Sequence, residues 1–172
     1  EKYWENLEKE TIEEIQPFLF DGAKVLDVGV GLGRLLSKIN TPIDKYGVDI
    51  SLSYLLKAKD ANINVCLSKI EELPYIDNYF DFVITTDVLE HVFDLNGCIN
   101  EVIRVLKPNG MCLIRVPNEE DLTPYLEYTD YKYVHVRNFS ESGLTLMFSK
   151  IYDCEVISSR KMGLIESEVK RK

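Results

Sequence analysis

Val25-Leu26-Asp27-Val28-Gly29-Val30-Gly31-Leu32-Gly33-Arg34 is a run of aliphatic and β-branched residues that meets an acid and then three glycines. That is the pattern of a buried strand entering a tight turn that opens a helix. Glycines at 29 and 31 remove the Cβ atoms that would hold a ligand off the backbone, and Gly33 permits close packing where the helix starts. The spacing discriminates between ligands. A dinucleotide fingerprint reads G-x-G-x-x-G and a P-loop closes on Lys-Ser/Thr, whereas this turn reads G-x-G-x-G after Asp27 and has no such pair. Tyr46-Gly47-Val48-Asp49-Ile50 supplies a second strand ending in an acid, about twenty residues beyond the glycines, where doubly wound folds place the carboxylate that accepts two ribose hydroxyls.

The 172 residues suffice for one domain with its own core, read as 1–172 with an N-terminal helix over 1–20. Hydrophobic residues make up 45% and charged residues 28%, an ordinary globular balance. A net charge of -9 disfavours a nucleic-acid backbone as partner, since such proteins present a basic face. Cys66, Cys98, Cys112 and Cys154 stand singly, without C-x-x-C or metal-ligand spacing, which points to reduced thiols and a cytoplasmic setting. No run reaches ~18 consecutive apolar residues, so the sequence offers no membrane span.

Periodicity then alternates. A helix carrying Leu35, Leu36 and Ile39 follows the first strand, Ser51 is placed to cap a helix containing Leu55 and Ala58, and Asn62 to Leu67 reads as a third strand. Phe80 to Thr86 is a fourth, strongly β-prone strand, followed by Asp87 and a helix that includes His91 and buries Cys98, Ile99 and Val102. Lys107-Pro108-Asn109-Gly110 is a turn into a fifth strand, Met111 to Val116. Residues 119–139 lack periodicity, are rich in tyrosine (Tyr125, Tyr128, Tyr131, Tyr133) and read as a substrate-side insertion. Ser140 caps a last helix, a strand runs from Cys154 to Ser159, and Gly163 turns it into an antiparallel edge strand near Val169. The expected architecture is α/β: a Rossmann-like, doubly wound, mainly parallel seven-stranded sheet with helices on both faces. Ligands of such sheets bind outside the carboxyl ends of the strands, so Gly29 to Gly31, Asp49, Lys69 with Ile70, and Asp87 should meet at one cleft.

These residues in this order resemble the class I S-adenosylmethionine-dependent methyltransferases, and most closely their methyltransferase-11-like branch. The likeness rests on V-L-D-V-G-V-G-L-G-R, on G-V-D-I-S, on E-L-P-Y-I-D-N-Y-F-D-F-V-I-T-T-D-V-L-E-H-V, on L-K-P-N-G-M-C-L-I, and on H-V-R-N-F-S before a helix. It implies S-adenosylmethionine as cofactor, with Gly29, Val30 and Gly31 against its methionine part, Asp49 on its ribose, Ile50 flanking adenine and Leu67 to Ile70 along the adenine edge, and with Asp27, Gly33 and Asp87 among the cofactor-binding residues. Where the family often carries an acid for the adenine amino group, this chain has Lys69.

Methyl transfer from a sulfonium is an in-line displacement, so an alcohol acceptor needs its proton removed, and histidine is the usual group for that near neutral pH. His91 and His135 are the two candidates. Asp87-x-x-Glu90-His91 with a distant His135 also resembles a carboxylate and histidine set that holds a divalent metal in some small-RNA and quinone-precursor methyltransferases, but Asp87 replaces the more usual Glu, and the expectation is a reaction without metal. Trp4 is expected to continue the apolar stripe of the first helix, or else to lie over the cofactor as a lid. Glu119, Glu120 and Asp121 read as a solvated charge run. The reading is a methyltransferase acting on a small-molecule or glycan-type acceptor, at oxygen. Its alternatives are a non-catalytic cofactor-binding scaffold and, disfavoured by the glycine spacing, a nicotinamide-dependent oxidoreductase.

Overall fold

A computed structural model describes residues 2–127 and 134–162. Five parallel strands form one sheet in the order β3-β2-β1-β4-β5: β1 Lys24–Val28, β2 Asp44–Asp49, β3 Asn64–Leu67, β4 Phe80–Thr86 and β5 Leu106–Arg115. Side chains alternate across each strand. Val25, Phe82 and Ile84 pack on one face with Ile15, Leu36, Leu55 and Ala58. On the other, Leu26, Val28 and Val83 pack with Cys98, Val102 and Val105. The helices are α1 Lys2–Ile15, α2 Arg34–Ser37, α3 Leu52–Asp60, α4 Leu95–Val105 and α5 Glu141–Lys150. Strand order reverses between β1 and β4, which opens a crevice at their carboxyl ends.

Several expectations change. The described residues supply five strands where seven were expected, and all five are parallel. Residues 154–159 take no strand conformation, and Gly163 to Val169, where the antiparallel edge strand was placed, lies outside the described residues. Helix α1 stops at Ile15 because Pro17 cannot continue it, and a single 3₁₀ turn, Gln16–Phe18, follows. Helix α2 is one turn long. Ser51 stands at the start of α3 without a side-chain cap: its hydroxyl pairs with that of Ser53 at 3.0 Å, while its own amide donates to Asp49 Oδ1 at 2.8 Å. Lys107 to Gly110 forms a bulge inside β5, with Leu106 opposite Phe80 and Met111 opposite Phe82. His91 precedes α4 instead of lying in it, since Asp94 caps that helix by accepting from Gly97 at 2.8 Å. Ser140 caps α5 in the same way.

Candidate functional site

The turn after β1 is built by backbone bonds to β2. Val48 O accepts from the amides of Gly29 and Val30 at 2.9 and 3.0 Å, Val30 O accepts from Gly33, and Asp49 Oδ2 accepts from Gly31 at 2.9 Å. Asp49 therefore clamps the turn and the start of α3 together. Each of those four amides is spent inside the protein, so none of them is free to cradle a pyrophosphate. Gly29 and Gly33 are both left-handed, and a Cβ at Gly29 would come within 2.3 Å of Val88 Cγ2. At Gly33 it would meet Ile63 Cδ1 at 2.6 Å and the backbone of Ala58 at 3.2 Å, so this glycine serves helix packing as the sequence reading held.

A cleft of about 190 Å³ lies on that turn, bordered by Asp27, Gly29, Val30 and Leu32 below and by Trp4 and Glu8 of α1, Thr86, Asp87 and Arg115 around it. Trp4 is 49% exposed, so it is a wall of the cleft and not part of a buried stripe. Glu8 fixes α1 to the turn through Arg34, at 3.0 Å, and Lys38. Arg115, which sequence reasoning missed, ends β5 and reaches both Thr11 Oγ1 at 2.6 Å and Asp87 Oδ2 at 2.5 Å. The signal for it was a lone cation closing an apolar strand just before Val116-Pro117. Burial pushes the Asp27 carboxyl up to about 7, against the pull of Arg115 and with a smaller push from Asp49. Asp27 Oδ1 and Arg115 Nε are both buried without hydrogen-bond partners.

The other predicted cofactor positions follow the carboxyl edge of the sheet. Ile50 is 76% exposed beside Asp49, presenting an apolar side chain to solvent at the end of β2. Lys69 is exposed at the start of a 3₁₀ turn, Ile70–Glu72, while the Ile70 side chain enters the core. Asp87 takes a left-handed conformation, its amide donates to Arg115 O at 2.9 Å, and its carboxylate is committed to Arg115. It therefore does not join Glu90, His91 and His135, as the four-member set would require.

Those three do come together. The backbone of Val136 donates to Glu90 O at 2.9 Å, Arg137 donates to the carbonyls of Val92 and Phe93, and His91 Nδ1 meets Val134 O at 3.2 Å. This stitching sets the two imidazoles edge to face, with ring centres 4.6 Å apart. A carbonyl only accepts, so His91 carries its proton on Nδ1 and keeps a lone pair on Nε2. Burial, with His135 beside it, holds the His91 imidazole below its ordinary value. His135 Nδ1 faces Glu120 Oε2 at 2.5 Å, and the Tyr125 hydroxyl donates to Glu120 Oε1 at 3.0 Å while standing 3.1 Å from the same ring nitrogen. Glu120 is thus a site residue and not part of a solvated run. Its backbone and Asn138 hold each other through Glu120 N to Asn138 Oδ1 and Asn138 Nδ2 to Glu120 O. Glu90 is 1% exposed, neither of its carboxylate oxygens has a hydrogen-bond partner, and burial pushes its carboxyl up to about 7. Tyr128, Tyr131 and Tyr133 lie outside the described residues.

Comparison with known proteins adds the following. A family model described as a methyltransferase domain matches residues 19–153. An uncharacterised protein of Methanocaldococcus jannaschii is 33% identical over 129 residues, which cover 73% of this chain and 56% of that protein. The ubiquinone/menaquinone biosynthesis C-methyltransferase UbiE of Vibrio cholerae is 30% identical over 127 residues, covering 67% of this chain and 49% of the enzyme. This chain thus spans about half the length of these relatives. A solved structure from Thermotoga maritima, described as a SAM-dependent methyltransferase and possible histamine N-methyltransferase, superposes with a TM-score of 0.69 at 23% identity, over 86% of this chain and 72% of that one. It shares the fold.

Proposed function

This chain belongs to the methyltransferase-domain family, in the class I group that uses S-adenosylmethionine, and from that premise we propose that it transfers a methyl group to a small-molecule acceptor at a hydroxyl oxygen. The observation that carries the cofactor reading is the turn itself. The amides of Gly29, Val30, Gly31 and Gly33 are satisfied internally, which suits a ligand without phosphates, and Asp49 stands at the tip of β2 with lone pairs left for two ribose hydroxyls. Asp27 and Arg115 border the cleft with one unpartnered acid oxygen and one unpartnered N–H between them, a fit for the ammonium and carboxylate of the cofactor's amino-acid end. Ile50 supplies an apolar surface for adenine, with Lys69 and Ile70 along its edge.

When bound, S-adenosylmethionine supplies the electrophilic methyl, so this chain's share is alignment, exclusion of water and management of the acceptor's proton. His91, which follows β4 four residues after the cleft residue Asp87, and His135, which the returning segment sets against it, are the groups toward which that proton leaves. The segment 119–139 that carries Glu120, Tyr125 and His135 forms the acceptor side. UbiE is named for transfer to carbon, so product analysis has to separate O-methyl from C-methyl. Four free thiols fit a cytoplasmic protein, and the acidic balance fits a small acceptor better than a nucleic acid. Among the described residues no helix is long and apolar enough to cross a membrane.

Titration calorimetry tests the cofactor reading. S-adenosylmethionine and its demethylated product are expected to bind, NAD is not, and Asp49→Ala is expected to weaken both ligands by a few kcal/mol through loss of a charge-assisted hydrogen-bonded pair. Unchanged affinity in the variant, or preference for NAD, sinks it. Mass spectrometry of candidate hydroxyl acceptors then tests transfer. Cofactor binding without a methylated product across such a panel would favour the scaffold alternative.

A further inference from the structure

We propose that Glu120 and Tyr125 are positioning residues that make His135, in preference to His91, the imidazole that takes the acceptor's proton. That role rests on the methyltransferase reading. The arrangement of the side chains does not.

A base needs a lone pair on the nitrogen that meets the proton, so its other ring nitrogen has to carry the hydrogen. His135 Nδ1 stands 2.5 Å from Glu120 Oε2. A carboxylate only accepts, so the hydrogen lies on Nδ1 and the lone pair on Nε2. Glu120 is itself held. The Tyr125 hydroxyl donates to its other oxygen, Oε1, at 3.0 Å, and its backbone is tied to Asn138 in both directions. The side chains of His135 and Glu120 are 17% and 27% exposed, so the pair is sheltered from water without being sealed from a ligand.

The two imidazoles differ in what stands behind them. His91 Nδ1 donates to a neutral carbonyl, Val134 O, at 3.2 Å, and burial holds its ring below its ordinary value, so it resists becoming an imidazolium. His135 has a carboxylate behind it, and a hydrogen bond to a charged group is roughly twice as strong as a neutral one. The difference grows during transfer. The acceptor's O–H proton passes to His135 Nε2, the oxygen's electron pair forms the bond to the methyl carbon, and the carbon–sulfur pair stays on sulfur. The positive charge lost by the sulfonium thus reappears on His135, beside Glu120, in the order nucleophile, base and orienting group. Glu90 does not compete for either ring, since neither of its oxygens has a hydrogen-bond partner. His91 packs across His135 with ring centres 4.6 Å apart and so limits its rotation.

The chain has two histidines, so long-range proton–nitrogen NMR reads each ring without an acceptor or a cofactor. His135 is expected as a single Nδ1–H tautomer with a low-field Nδ1–H signal. Glu120→Gln should move that signal upfield, Tyr125→Phe should move it less, and His91 should keep its tautomer in both. With a hydroxyl acceptor that the parent methylates, His135→Gln should lower kcat by about 10²- to 10⁴-fold, more than His91→Gln does. Glu120→Gln should lower kcat with KM nearly kept, and Glu120→Asp should recover part of the loss. Circular dichroism and retained affinity for demethylated cofactor establish that each variant is folded. Mixed tautomers of His135 in the parent, an unmoved signal in Glu120→Gln, or a larger loss from His91→Gln than from His135→Gln overturns the assignment. Any of these beside intact cofactor binding leaves the methyltransferase reading standing. A chain that keeps the His135 tautomer yet binds no S-adenosylmethionine refutes that reading instead, and the role of the pair falls with it.

Discussion

Asp27 is an acid inside an apolar strand, and its cost to the fold has a definite pH signature. Its carboxyl is raised from about 3.8 to about 7, chiefly by burial. A raised acid binds its proton more tightly folded than unfolded, so its contribution is full below pH 3.8 and is lost as pH rises through 7. Asp27→Asn is therefore expected to match the parent in the acid range and to gain on it between those values, by up to ~4 kcal/mol. Urea unfolding at a series of pH values checks this, and a constant gap between the two proteins would refute it. At this scale the sequence was informative where a motif fixes a residue's place. Asp49 and the glycines sit where the strand and turn pattern put them. Arg115, Thr11 and Glu120 were not legible, because each acts through a partner 104, 28 or 15 positions away and no local periodicity marks such pairs.

The glycine turn gives a prediction for a single element. Gly31 and Gly33 are both left-handed, yet a Cβ at Gly31 meets nothing within 4 Å while one at Gly33 strikes Ile63 and Ala58. Gly31→Ala should cost only the backbone strain, about 1–2 kcal/mol. Gly33→Ala adds a clash with the backbone of α3 and should cost clearly more, with overpacking typically worth another 1–3 kcal/mol. Thermal or urea unfolding of the two variants ranks them, and the opposite order would show that the packing of α3 against the turn has been misread. The strands β1, β2 and β4 were read to within a residue or two, whereas α4 starts at Leu95, four residues beyond the expected His91. The one-turn α2 and the bulge in β5 were harder. Residues flanking a buried strand look alike whether they form a turn before it or a bulge within it, and only pairing with Phe80 and Phe82 decides. Ser51 shows the same limit, since its hydroxyl pairs with Ser53 and leaves the first-turn amides uncapped.

Across the whole molecule the proposed cofactor side and the proposed acceptor side meet at Asp87 to His91 and are otherwise built from different parts. Replacing 125–133 with a Gly-Ser segment should abolish transfer while cofactor affinity by calorimetry stays nearly intact. A parallel loss of both would make this segment a lid over the cofactor. The mainly parallel sheet was implied by the alternation of strands and helices, though seven strands were expected, whereas the meeting of Glu90, His91 and His135 was suggested only by a resemblance, because it depends on the stitching of Val134–Arg137 to residues 90–93. The segment 119–139 has its entrance and exit fastened together: Asn118 bridges Phe139, Glu119 N donates to Phe139 O at 2.7 Å, and Glu120 and Asn138 hold each other. With its ends pinned, the chain between them is a cassette, and doubling its length adds only about 0.6 kcal/mol of closure entropy. If the segment takes the acceptor as proposed, substrate range can drift or be engineered by rewriting a short internal stretch, at almost no expense to the sheet.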